Sequence, residues 1–193
     1  MKTNWILLVL FAILMASCSS DEGTGITDEQ RQLIMGDTSD DILLLGLESP
    51  ITVEREDVHS GTRELDINKN GEVDVIISFY QDFFGGKGLQ ISTPNEDTNA
   101  AVAFDSSTDW VKPLNSGEIV TFDSEDWRSA ELEPLAVFDS NDGSSSGLWN
   151  GTTSKYVAFR MQINNTRYLA WIEFSVSDYD NHSFHNYGTK IVP

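Results

Sequence analysis

The stretch that most limits what this chain can become runs from Asp66 to Phe79. It reads Asp-Ile-Asn-Lys-Asn-Gly-Glu-Val-Asp over 66–74 and continues Val-Ile-Ile-Ser-Phe over 75–79. Oxygen-bearing side chains stand at loop positions 1, 3, 5 and 9, with glycine at position 6. That is the spacing of a calcium loop, in which glycine makes the sharp turn and the residue after it offers a backbone carbonyl. The expected ion is Ca2+, and the expected ligands are Asp66, Asn68, Asn70, the Glu72 carbonyl and Asp74, the last directly or through water.

The same stretch excludes an EF-hand. Position 12, where an EF-hand needs a bidentate Glu, is Ile77. Val75, Ile77 and Phe79 alternate with Ile76, Ser78 and Tyr80, which is strand periodicity rather than an exiting helix. The loop is therefore expected to join two strands, 62–65 and 73–80, with Ile77 pointing into a core. Few carboxylates are at hand, so the affinity should be weak, on the order of 10⁻⁴ to 10⁻³ M as in extracellular modules. The alternative left open by the residues is an Asn/Gly/Asp turn that binds nothing, since these residues favour turns on conformational grounds alone.

The rest of the chain follows the same period. Candidate strands lie at 42–47, 51–54, 62–65, 73–80, 89–92, 100–104, 119–122, 136–138, 156–163, 168–176 and 183–187, with Gly, Asn, Asp and Pro between them. Short strands so punctuated predict an all-β protein, a single antiparallel β-sandwich of jelly-roll-like form. One short helix is expected at most, over 27–35, from the Thr27 cap, the acidic first turn and the closing Gly36. The clearest hairpin turns at 164–167. It sets Val157, Phe159, Met161 and Ile163, with Tyr168, Ala170, Ile172, Phe174 and Val176, on apolar faces. Trp171 and Glu173 fall on the other face, which makes Trp171 the expected partly exposed aromatic. The 139–146 stretch is expected to be a loop within the domain.

Residues 1–17 read as a secretion signal: Lys2, an apolar run over 6–15, then small residues. The run is too short to span a bilayer as a helix, which takes about 20 residues. Cys18 is the single cysteine of the chain, and Met15-Ala16-Ser17-Cys18 resembles a bacterial lipobox, with Met15 where Leu is usual. The resemblance implies that Cys18 is lipidated and becomes the first mature residue. The expected organisation is a leader over 1–17, an acidic flexible tether over 18–27 and a β-sandwich over 28–193. With 31 acidic and 12 basic residues, the net charge is −19, which makes nucleic acid and anionic lipid headgroups poor partners and cations good ones. No disulfide can staple such a fold, so a bound ion is a plausible substitute.

The order of motifs resembles that of secreted β-rich proteins of Bacteroidota and some other bacteria. These carry a D-x-N-x-D-G-x-x-D-F loop, then W…K-Y-x-G-x-R-F, then a hairpin returning as Y-G-W-I. The corresponding residues here are the 66–74 loop, Trp149, Lys155-Tyr156-Val157-Ala158-Phe159-Arg160 and Tyr168-Leu169-Ala170-Trp171-Ile172, followed by Asn186-Tyr187. Asn70 stands for the usual Asp, Ala158 for a Gly, and Leu169-Ala170 for a single Gly. The acidic tether Ser19-Ser20-Asp21-Glu22 also resembles that of surface-exposed lipoproteins of the same bacteria. The resemblance implies an outer-membrane, lipid-anchored protein facing the cell exterior, with a periplasm-facing anchor as the alternative.

No sequence pattern demands catalysis, and no enzymatic activity or catalytic residue is expected. Glu125, Asp126, Glu131 and Glu133 offer carboxylates for glycoside hydrolysis, but such neighbours arise by chance in an acidic chain. His182 and His185, near Asp178 and Asp180, are expected in a solvated loop, since i and i+3 on a strand face opposite ways. Trp127, Trp149 and Trp171 are the candidate platform for a sugar, against the commoner fate of such aromatics as core. The expectation is thus a calcium-stabilised, non-catalytic cell-surface lipoprotein that serves as a binding or structural module. Its partners would be the membrane through the anchor and a glycan or surface protein. The alternatives are a carbohydrate-binding lipoprotein of glycan uptake and a weak surface glycoside hydrolase.

Overall fold

A computed structural model of the chain describes residues 27–54, 60–81, 83–94, 100–123, 126–129, 131–139, 141–177 and 181–193. The leader, Cys18 and the tether up to residue 26 lie outside these. In chain order the strands are β1 (Gln32–Ile34), β2 (Leu43–Glu54), β3 (Ser60–Leu65), β4 (Val75–Gln81), β5 (Lys87–Ser92), β6 (Ala101–Asp105) and β7 (Trp110–Val111). They continue as β8 (Ile119–Thr121), β9 (Trp127–Ser129), β10 (Glu133–Asp139), β11 (Ser144–Ser146), β12 (Thr152–Ile163), β13 (Thr166–Val176) and β14 (Asn181–Val192).

The period-two runs become two antiparallel sheets. One has the order β11-β10-β5-β4-β3, the other β2-β14-β13-β12-β6-β7, with β9 also pairing β6. A separate two-stranded ribbon joins β1 to β8. The fold is an all-β antiparallel sandwich, and neither sheet closes into a barrel. The β12–β13 hairpin turns on Asn164 at φ 49°, a left-handed conformation that Asn tolerates.

Alternation decides which side chains meet between the sheets. Leu65, Val75, Ile77, Leu89, Ile91 and Leu135 from one sheet pack against Val157, Phe159, Met161, Ile172, Phe174 and Phe184 from the other. Ile77 is buried there, as its phase on β4 predicts. The outer face of the larger sheet is also buried over its middle. Tyr156, Ala158, Leu169, Trp171 and Val192 form a second cluster with Leu33, Met35, Ile42, Leu114 and Val120. The β1–β8 ribbon and the segments beside it cap that face, so the larger sheet is buried on both sides.

Three expectations are corrected. The 27–35 helix is a 3-10 turn over Asp28–Arg31 that gives way at once to β1. Leu33 and Met35 are both buried while Ile34 is only half so, a period of two, and pairing with β8 overrides the capping signal. The 139–146 stretch is not all loop, because Ser144–Ser146 pairs with β10. The histidines are not in a solvated loop. His182 is buried and packs on Phe79, Phe174 and Phe184, while His185 lies at a bulge in β14. Asp178 and Asp180 lie outside the described residues.

Candidate functional site

The 66–74 loop closes between β3 and β4, whose register runs from Ser60 opposite Tyr80 to Leu65 opposite Val75. The Asp74 amide donates to Leu65 O (2.9 Å), which fixes the base of the loop. Lys69 at φ 59° and Gly71 at φ 90° supply the left-handed steps that wind it. Its side-chain oxygens then accept from its own backbone. Asp66 Oδ1 accepts from Asn70 N (3.1 Å) and Oδ2 from Gly71 N (2.8 Å). Asn68 Oδ1 also accepts from Asn70 N (2.9 Å), and Asn70 Oδ1 accepts from Glu72 N (2.8 Å). A single amide, that of Asn70, therefore gathers oxygens from positions 1 and 3.

Asp74 sits deeper, 2% exposed. Its Oδ2 accepts from Ile67 N (2.9 Å) and Asn68 N (3.2 Å), and its Oδ1 from Asn68 Nδ2 (3.1 Å). Burial pushes its carboxyl above the usual range, the Asn68 and Ile67 amides pull it back, and the charges of Asp66 and Glu72 push it up again. The loop is tied to the opposite sheet. Ile67 is fully buried, and its carbonyl accepts from the Thr189 hydroxyl on β14. The Tyr187 phenol beside it is raised by burial and by the Asp66 charge.

The donor set fits a hard divalent cation that takes oxygen ligands only. Asp66, Asn68, Asn70 and Asp74 would offer side-chain oxygens and Glu72 its carbonyl. Among the described residues no three His, Cys, Asp or Glu side chains converge as a ligand group, so the Asn amides are indispensable to this set.

The aromatic platform does not assemble as expected. Trp149 is fully buried between the sheets, where Nε1 donates to Val111 O (2.9 Å) and the ring meets Phe174. Trp171 is 2% exposed, because the cap covers the outer face to which its phase assigns it, and its ring meets Tyr156 edge-on. Only Trp127 is half-exposed, on β9, with Nε1 donating to Thr121 O (3.1 Å). Of the acids considered for hydrolysis, Asp126 and Glu131 are exposed and Glu125 lies outside the described residues. Glu133 is half-buried, and that burial raises its carboxyl.

The sequence reading missed the arginines around Trp127. Arg160 lies 5.7 Å from the Trp127 ring and 5.6 Å from that of Phe122, while Arg167 lies 4.9 Å from Phe122. The signal was present in the hairpin register, which sets Arg160 and Arg167 on the same face as Trp171. These features define an antiparallel β-sandwich with an oxygen-lined interstrand loop. Comparison with known protein families, curated proteins and solved structures finds no significant match.

Proposed function

We propose that this protein is a calcium-stabilised, non-catalytic module held at the outer cell surface by a lipid on Cys18. The reading is carried by the 66–74 loop, in which oxygens from Asp66 and Asn68 converge on one amide above a buried Asp74. Asp66, Glu72 and Asp74 outnumber Lys69, the one cationic side chain of the 66–74 loop, and a divalent cation would relieve the repulsion felt at Asp74. Through Ile67 and Thr189 the ion would steady the contact between the two sheets, as a disulfide does in other secreted domains. The anchor rests on the leader and on the lone Cys18. The resemblance to Bacteroidota lipoproteins supports the outward-facing placement.

Thermal unfolding of the full chain in calcium and in EDTA tests this. At about 10 mM calcium and the affinity expected of such a loop, stability should rise by roughly 1.4–2.7 kcal/mol. Coincident curves would sink the calcium claim. Mass spectrometry of the protein from membranes tests the anchor, which requires a diacyl or triacyl group on Cys18.

A further inference from the structure

Cations are scarce in this chain, yet two of them share one aromatic cluster. Arg160 and Arg167 stand diagonally on β12 and β13, since Arg160 pairs with Leu169 and Arg167 with Gln162. Both project from the outer face, and both guanidiniums lie near the Phe122 ring. Two other basic groups are held in ion pairs. Arg128, stacked 4.1 Å from the Phe104 ring, also pairs with Asp109, and Lys190 pairs with Asp41 at 2.7 Å. Among the described residues, neither Arg160 nor Arg167 has a carboxylate within ion-pair distance. Asp123 is the acid whose charge is felt at Arg160, and it is exposed.

A cation–π contact holds a guanidinium near a ring without consuming its N–H donors. Arg160 uses one donor, on Phe122 O at 3.0 Å. Arg167 uses none among the described residues. Most of the donors of both guanidiniums are thus left for planar or tetrahedral oxyanions, which arginine can hold bidentately. Beside them the Trp127 ring is half-exposed and its N–H is already satisfied, so what it offers a ligand is apolar ring surface.

We infer that Arg160 and Arg167, with Trp127 alongside, bind a short acidic oligosaccharide through its carboxylate or sulfate groups. The net charge of −19 selects against densely charged polymers such as nucleic acid, with a charge every ~1.7 Å of duplex, and tolerates a ligand with sparse anions. This deepens the reading of the protein as a surface binding module, and it does not depend on the cation loop.

Isothermal titration of the full chain would use an oligogalacturonate, a sulfated oligosaccharide, a neutral oligosaccharide and an oligoglutamate peptide. The first two arms distinguish carboxylate from sulfate. Saturable binding of at least one acidic sugar, with none of the neutral one, is expected. Arg167→Ala should weaken it roughly 10- to 100-fold, the worth of a charge-assisted hydrogen bond. Arg167→Lys should restore part of the loss, and Arg63→Ala on β3 of the other sheet should change nothing. Arg167→Ala removes a contact with the Phe122 ring, so the folding control is a cooperative unfolding transition within about 1 kcal/mol of wild type. Equal binding of neutral sugar, peptide binding as tight as sugar, an unaffected Arg167→Ala or no sugar binding would each overturn the inference. Calcium-dependent stability that survives such a failure would leave the module reading standing.

Discussion

The two faces of the larger sheet are buried by different means. The inner face meets a second, five-stranded sheet, and Val157, Phe159, Met161, Ile172 and Phe174 interlock with it. The outer face is covered by three-residue strands, the β1–β8 ribbon, and by the segments around Ile42 and Leu114. Both faces hold a large buried indole, Trp149 inside and Trp171 outside. Apolar alternation therefore marks which residues share a face, but not whether that face meets solvent. Cover supplied from a distant part of the chain decides the second question.

Substitutions can break or sharpen this contrast. Trp149→Ala should have the largest effect, about 3–5 kcal/mol for the lost ring. The Val111 carbonyl left without its donor adds to that. Such a loss is a large share of the total stability of roughly 5–15 kcal/mol usual for a domain, so the urea midpoint should fall steeply. Leu33→Ala tests the outer core. A thin ribbon can settle into the vacancy, so the loss should be about 2–3 kcal/mol, with a weakened near-ultraviolet signal from the Tyr156–Trp171 pair. A change within about 0.5 kcal/mol would mean that this face behaves as surface.

Gly188→Ala probes the same face from within the sheet. A Cβ there would come within 2.8 Å of the Trp171 ring and 2.9 Å of Ile42, so overpacking should cost about 1–3 kcal/mol in the same assay. The smallest effect belongs to the clip at the edge of the cap. The Lys190 hydrogen bond holds the exposed Asp41 carboxyl below its usual range, so Asp41→Asn should cost less than about 1 kcal/mol at neutral pH. A depressed carboxyl stabilises above its ordinary value of 3.8 and ceases to do so as pH falls through the lower folded value. The difference between wild type and variant should close over that acid range.

The inner core was legible because its signal is local: Val75, Ile77 and the 156–176 hairpin each carry the period in a few residues. The loop was legible for the same reason, its oxygens and glycine falling within nine positions of sequence. What the sequence hid is non-local. The pairing of Leu33 with Val120 joins the expected 119–122 strand to a distant segment whose own propensities say helix. It reverses the expected exposure of Trp171. The bond from Thr189 to Ile67 and the gathering of Arg160, Arg167 and Trp127 likewise depend on strands distant in the chain.

The central claim is that a divalent ion sits in the 66–74 loop and is felt across the sandwich. Calcium titration followed by amide chemical shifts tests it most directly. Saturating shifts at Asn70, Gly71 and Glu72, with smaller ones at Ile67 and Thr189, are predicted. Amides that stay fixed in the loop while calcium rises well past the millimolar range would contradict it.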